Sequence, residues 1–128
     1  MSEQNTHPAI DPALCGRPTE LAEGRAVVEL LTTDVMRADD RGLVHGGFVF
    51  GAADYAAMLA VNDPNVVLGA ADTRFTAPVR VGQTVRVVAQ VVDQKGRKQT
   101  VEASASVNDK EVFSGTFVAF VLDQHVLD

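Results

Sequence analysis

The chain has 128 residues, 46% of them apolar, with one cysteine and no tryptophan, and that length supports a single domain with its own core, without disulfide or metal staples. A formal charge of -6 at pH 7, from 11 Lys and Arg against 17 Asp and Glu, argues against nucleic acid as a general partner while leaving room for a small anion held by one or two arginines. The first 20 residues lack a basic start followed by an apolar run, and no stretch reaches the ~18 apolar residues of a spanning helix, so a soluble cytoplasmic protein with no membrane partner is expected.

Residues 1–20, rich in Pro, Thr, Glu and Asn, read as an extended or partly disordered N-terminal arm with one helical turn near Pro12, followed by a single domain over residues 21–128. The segment EGRAVVELLTT (23–33) has the Val-rich, half-alternating look of a first strand, and DVMRADDRG after it is a polar loop. From Gly47 to Val61 there is no Pro, Ala is frequent and apolar residues occur on every side, which predicts a helix buried all round, stopped by Asn62, Asp63 and Pro64. The period then changes to two. Strands are expected over 66–75, 84–93, 99–108 and 111–122; the third sets Val101, Ala103, Ala105 and Val107 against Glu102, Ser104, Ser106 and Asn108. The last is apolar on both faces, as a central strand would be. Strand, buried helix and four strands with short connections describe an α+β domain, its mostly antiparallel sheet wrapped around one helix, with a second copy covering the remainder through a two-fold dimer.

Two features carry chemistry. His45, Gly46 and Gly47 stand where a loop enters the helix, and no Ser, Thr or Asp immediately precedes that start to cap its first N–H groups. Those donors, at the positive end of the helix dipole, suit a developing oxyanion, and glycine lets a ligand oxygen approach. The alternative is a tight turn with His45 packed or in solvent. Asp54 is the second feature, a carboxylate inside an otherwise apolar helix, where an unpaired charge is costly. It serves either as a chemical group or as a structural aspartate tied to backbone donors or to an arginine such as Arg74. Gly46 and Asp54 lie roughly 12 Å apart along a helix rising ~1.5 Å per residue, too far to serve one carbonyl. Two antiparallel helices across a two-fold axis would bring Asp54 of one chain to the His45–Gly46 end of its mate.

The motif HGGFVFGAADYAA resembles the signature of hotdog-fold acyl-CoA thioesterases of the PaaI-like branch, with His-Gly-Gly opening the central helix and Asp nine positions after the His. The resemblance extends over roughly residues 21–122. It implies hydrolysis of a small acyl- or aryl-CoA thioester, with Gly46 N–H polarising the carbonyl, Asp54 acting as nucleophile or general base, and His45 fixing the carbonyl or water. It further implies Phe48, Phe50, Tyr55 and Met58 as acyl-pocket walls, with Gly47, Asp39 and Thr73 as further substrate contacts. Arg97, in KGRK, with Arg80 and Arg86, would meet the CoA phosphates or the pantetheine arm at the dimer edge, or simply decorate a solvated turn. No cofactor is implied beyond coenzyme A as part of the substrate, and no metal, since the His and Cys residues lack ligand spacing. The expected assembly is a homodimer, with a dimer of dimers (a homotetramer) as a further step. Departures are Asp39 where many relatives carry Asn, and Leu68 and Gly69 where others place a hydroxyl, leaving Thr73 as the nearest one. The segments VVLGAADTRFTAPVRVGQTVRVVAQV and EVFSGTFVAF also resemble the effector domain of the repressor FapR, which binds malonyl-CoA without hydrolysing it. Three readings therefore stand at this stage: thioester hydrolysis, acyl-CoA binding without turnover, and an acyl-chain hydratase or dehydratase on the same scaffold, which requires a His paired with a carboxylate.

Overall fold

A computed structural model describes the whole chain, Met1–Asp128. A short helix α1 (Pro12–Cys15) leads into strands β1 (Arg17–Ala22) and β2 (Arg25–Leu31). A 3-10 turn (Asp34–Met36) and a loop then reach α2 (Gly46–Val61), after which come β3 (Val66–Phe75), β4 (Thr84–Lys95), β5 (Lys98–Val107) and β6 (Lys110–Val121). The six strands form one antiparallel sheet in the order β1-β2-β4-β5-β6-β3. This is the hotdog architecture, an α+β fold with the sheet curled around α2.

The alternation expected from the sequence sets the inner face. Val85, Val87 and Ala89 of β4, with Val101, Ala103, Ala105 and Val107 of β5, are buried against the helix. β6 adds Phe113, Phe117 and Ala119. Phe113 and Phe117 stack with centroids 6.4 Å apart, and Phe50 of α2 rests on Phe117 at 5.7 Å. Hairpin β5–β6 closes through Asn108 and Asp109, both at positive φ (49° and 66°), as a two-residue turn matched to strand twist requires. β6 is flanked by β5 on one side and β3 on the other, a central strand as expected, with Phe120 of its outer face left exposed.

Two sequence expectations are corrected. The sheet has a sixth strand, β1, which begins at Arg17 and so runs across the expected arm boundary at residue 20. Only Leu21 of it is buried, and its register slips between Pro18 and Glu20; an edge strand tolerates the proline and the bulge, and the two erase its alternation. The residues before it are held in place. Ser2 N–H donates to Leu21 O at 2.7 Å, Asn62 Nδ2 donates to Glu3 O and Asn5 N–H donates to Asn62 Oδ1, both at 2.8 Å, and Thr6 is buried.

The helix is covered unevenly. From Ala52 to Ala60 every residue except Asp54 is buried, whereas His45 and Gly47 are exposed and Gly46, Phe48 and Phe50 half-buried. α2 packs chiefly over β4, β2 and β5, which leaves the inner side of β3 partly open. Phe75 at its end is 56% exposed, and the ten-residue β3 pairs with β6 alone. No helix is long and apolar enough to cross a membrane.

Candidate functional site

The loop before α2 is anchored by backbone. Val44 N–H donates to Val79 O and His45 N–H to Met36 O, each at 2.9 Å, so His45 reaches the N-cap position in an extended conformation. Its side chain caps nothing; the ring lies edge-on to Phe48, with centroids 6.2 Å apart. The N–H groups of Gly46 and Gly47 meet no acceptor in the chain. A Cβ at Gly46 would come within 3.1 Å of the Phe75 ring, and one at Gly47 within 3.0 Å of His45 Nε2. Glycine at both positions therefore lets the Phe75 ring and the His45 imidazole lie close to a helix start whose first two N–H groups are free.

Asp54 sits two turns further along. Its Oδ1 is buried without a hydrogen-bond partner, which a native interior seldom permits without a functional or solvent-borne reason. Burial raises its pKa above the usual carboxylate value, and His7 of the arm opposes the shift. Burial likewise raises the Cys15 thiol, helped by the negative charges of Asp54 and Asp11, so Cys15 stays a protonated wall of this niche. Its sulfur lies 4.0 Å from where a Cβ at Gly51 would be. The arm that covers Asp54 is pinned by Gln4, whose Nε2 donates to Thr6 O at 2.9 Å and to Tyr55 Oη at 3.1 Å. Arg74 does not reach Asp54. It lines a groove of about 460 Å³ on the other face of the sheet, with Asp72, Gln90 and Glu102, and that concavity contains neither His45 nor Asp54.

The remaining sequence candidates scatter. Phe48 and Phe50 flank the open start of α2, but Tyr55 is buried beneath the arm and Met58 is wholly buried in the core. Thr73 lies on the inner face of β3 opposite Gly115, where any side chain at 115 would strike its methyl group. Asp39 Oδ1 accepts from Arg41 N–H at 2.9 Å and Leu43 N–H at 3.2 Å, holding the loop ahead of His45. Arg97 occupies the β4–β5 turn and is ion-paired with Asp123. Its neighbour Lys98 pairs with Phe120, whereas Gly46 abuts Phe75, whose partner is Phe113; Arg97 is thus at the opposite end of the sheet from His45. Within one chain, His45, Gly46 and Gly47 form one group and Asp54, Tyr55, His7 and Cys15 another. The arm residues His7 and Cys15 were not expected at a site, because contacts as distant in sequence as Gln4 to Tyr55 leave no local pattern.

A family model described as MaoC like domain matches residues 40–112. The chain is 50% identical to the uncharacterized protein PH1136 of Pyrococcus horikoshii, with a TM-score of 0.98 over 99% of this chain and 98% of that one. It is 30% identical to a point mutant of the phenylacetic acid degradation protein PaaI of Thermus thermophilus, with a TM-score of 0.79 over 88% and 100% of the two chains. Among curated relatives it is 49% identical over 119 residues to methylthioribose-1-phosphate isomerase of Aquifex aeolicus. Over 85 residues it is 32% identical to the transcription factor FapR of a Thermoanaerobacter species. It spans 26% of the first protein and 42% of the second. The chain carries a MaoC-like domain and belongs to the hotdog-fold superfamily, in the branch of the phenylacetic acid degradation protein PaaI.

Proposed function

We propose that this chain is an acyl-CoA thioesterase that hydrolyses a small acyl- or aryl-CoA thioester to the free acid and CoA at a site shared between two subunits. The observation that carries the reading is the buried Asp54 carboxylate oxygen with no protein partner. A fold of this size gains nothing in stability from such a group, so a role toward water or substrate accounts for it. The free N–H groups of Gly46 and Gly47 supply the second half of the chemistry. As the thioester carbonyl becomes tetrahedral, its oxygen gains negative charge, and donors already oriented at a helix start stabilise that charge without reorganising. Asp54 then either attacks the carbonyl carbon, giving an anhydride that water hydrolyses, or takes a proton from the attacking water; the leaving thiolate departs as CoA.

One helix cannot supply both halves, since roughly 12 Å separate Gly46 from Asp54. A homodimer can. The unpaired edge of β3 and the exposed Phe75 beside Gly46 are suited to a second copy, because a long open strand edge next to an apolar side chain is a surface that proteins cover. The likeness to PaaI at 30% identity supports the same reading.

Binding without turnover is the second reading, favoured by the FapR relatives at 32% identity. Hydration or dehydration of an acyl chain, the chemistry of the third reading, requires an imidazole beside the carboxylate. Within one chain His45 is nine positions away from Asp54 and His7 makes no ion pair with it, so an imidazole would meet the carboxylate only across the dimer, and this reading, to which the MaoC-like model points, ranks last. Release of free thiol from a panel of acetyl, malonyl, medium-chain, long-chain, benzoyl and phenylacetyl thioesters separates the readings. Hydrolysis that vanishes in Asp54→Asn upholds the proposal, and silence with saturable binding of one thioester replaces it with the sensing role.

A further inference from the structure

The N-terminal arm brings a second titratable group to the Asp54 niche. His7 is half-buried beside Tyr55, the residue next to Asp54 on α2, with ring centroids 6.3 Å apart. Hydrogen bonds hold it there. Gln4 Nε2 donates to His7 O at 3.3 Å as well as to Tyr55 Oη at 3.1 Å, Ile10 N–H donates to His7 O at 3.4 Å, and Thr6 Oγ1 lies 2.8 Å from His7 Nδ1. His7 itself stands in the left-handed region at φ 55°, a conformation that a residue with a Cβ keeps only where its surroundings impose it.

The Thr6 contact suits a ring that changes charge in place. A hydroxyl both donates and accepts, so Thr6 accepts from Nδ1–H of an imidazolium and donates to the bare Nδ1 of a neutral ring. Thr6 is buried, and its hydroxyl bonds nothing else in the chain. His7 is also the one source of positive charge at the niche. No charged residue of the six strands is buried, α2 carries no charge besides Asp54, and α1 contributes Cys15 with Asp11 at its cap. Of the groups around Asp54, His7 alone opposes what burial does to the carboxyl. It makes no ion pair with Asp54 and so acts across a gap.

We propose that His7 is a positioning residue of the hydrolytic site: fastened beside α2 by Thr6 and Gln4, its imidazolium is the counter-charge that favours the ionised, reactive carboxylate of Asp54. This inference rests on the acyl-CoA reading above and deepens it by adding the arm to the machinery. Attack or water activation needs Asp54 without its proton, in a niche whose dryness favours keeping it. An imidazole is cationic in the mildly acidic range where a raised carboxyl titrates, and it offsets part of the burial there.

The test is the acid limb of the activity profile in His7→Asn, with His45 kept in every protein so that its charge is common to all. Asparagine adopts the left-handed region readily and still bonds a hydroxyl, so the arm keeps its place. Removing the counter-charge alone should move the limb to higher pH by about one pH unit, the lower end of what a nearby opposite charge does. Thr6→Val, which keeps the buried shape and frees the ring, should move it the same way by less. A His7 that merely packs on Tyr55 predicts the reverse sign. Its loss loosens the cover and admits water, and because burial is the larger influence on Asp54, the limb moves to lower pH. A limb that stays or moves down in His7→Asn overturns the assignment. Should His7→Asn release the arm, seen as faster hydrogen exchange at residues 2–7, Thr6→Val decides by the same signs. If the wild-type protein hydrolyses no thioester, the thioesterase reading falls by itself, and NMR titration of the Asp54 carboxyl carbon judges His7. A midpoint higher in His7→Asn than in the wild type sustains the counter-charge; an equal or lower one removes it.

Discussion

The two ends of the functional stretch of α2 are built on opposite principles. At the N-terminus, donors are backbone N–H groups exposed by two glycines, with a solvent-facing His45 beside them; what matters there is the absence of side chains. Two turns on, Asp54 is a side chain whose properties come from its cover, a niche closed by His7, Cys15 and the Gln4–Tyr55 hydrogen bond. The open end is ready to receive a carbonyl but has nothing to activate water. The covered end has a carboxylate of raised pKa but no free donor for an oxyanion. Each lacks what the other has, which is the strongest physical reason for expecting two copies to work together.

Substituting Asp54 by Asn breaks the covered end and carries the largest expected effect. Turnover should fall by about three orders of magnitude, the scale of losing a general base or nucleophile, with thiol release as the measure. The same change should raise stability. Because burial raises the folded-state pKa of Asp54, the folded protein holds this proton more tightly than the unfolded chain. Stability is then greatest where Asp54 is protonated and declines as pH climbs from the ordinary carboxylate value through the raised one. The amide of Asp54→Asn has no such proton to lose, so the variant's melting temperature should exceed that of the wild type at neutral pH, and the gap should close as pH falls to the ordinary carboxylate range. The wild-type activity should follow the complementary course. The acid limb of its pH profile rises as Asp54 ionises, above the pH at which an exposed carboxylate would titrate.

The division of labour between two copies makes a second prediction. If Asp54 of one chain serves Gly46 of its mate, specific activity falls on dilution as dimers dissociate. Ala71→Glu, which places a charge on the exposed stretch of β3, should shift that fall to a protein concentration about ten-fold higher, the scale of one desolvated charge at an interface. Light scattering run beside the assay checks it. A monomer with undiminished activity would end the two-subunit scheme.

How far each region could be read from sequence follows the same contrast. The helix, β3 to β6 and the uncapped His-Gly-Gly were legible because local pattern determines them: period two on β5, an apolar surround on α2, glycines at a helix start. Asp54 was legible as a question, since a carboxylate amid Ala, Tyr and Met is anomalous in any fold. Its cover was not. Gln4, Asn5, Thr6 and His7 look like solvated polar residues, and their order comes from bonds to Tyr55 and Asn62, 51 and 57 positions away. β1 was hidden by Pro18 and a register slip.

Gly47→Ala perturbs the open end without touching the covered one. Its methyl would arrive within 3.0 Å of His45 Nε2, while alanine suits a helix better than glycine by about 1 kcal/mol. The imidazole must give way by a few tenths of an ångström. Activity should drop about ten-fold with stability level or slightly improved, and adding His45→Ala to Gly47→Ala should cost little more, because the first change has already displaced the ring. A full additional loss in the double variant would show that His45 acts elsewhere than beside Gly47.

The smallest effect concerns the fastening of the cover. Asn62 ends α2 in the left-handed region at φ 55° while both ends of its amide hold the arm. Asn62→Gly keeps the backbone conformation and removes the two bonds, and each is worth about 1 kcal/mol at most at an exposed position. Asn62→Ala removes the same bonds and adds the cost of a Cβ in that conformation, about 1 kcal/mol more. Thermal melts should therefore rank wild type above the glycine variant, and the glycine variant above the alanine variant. Hydrogen exchange at residues 2–7 should quicken equally in both variants, since both release the arm. Because that release admits water to Asp54, its raised pKa should relax toward the ordinary value, and the acid limb of the activity profile should move to lower pH by the same amount in each. An arm that exchanged no faster in either variant would mean that Gln4 and Thr6 alone keep Asp54 covered.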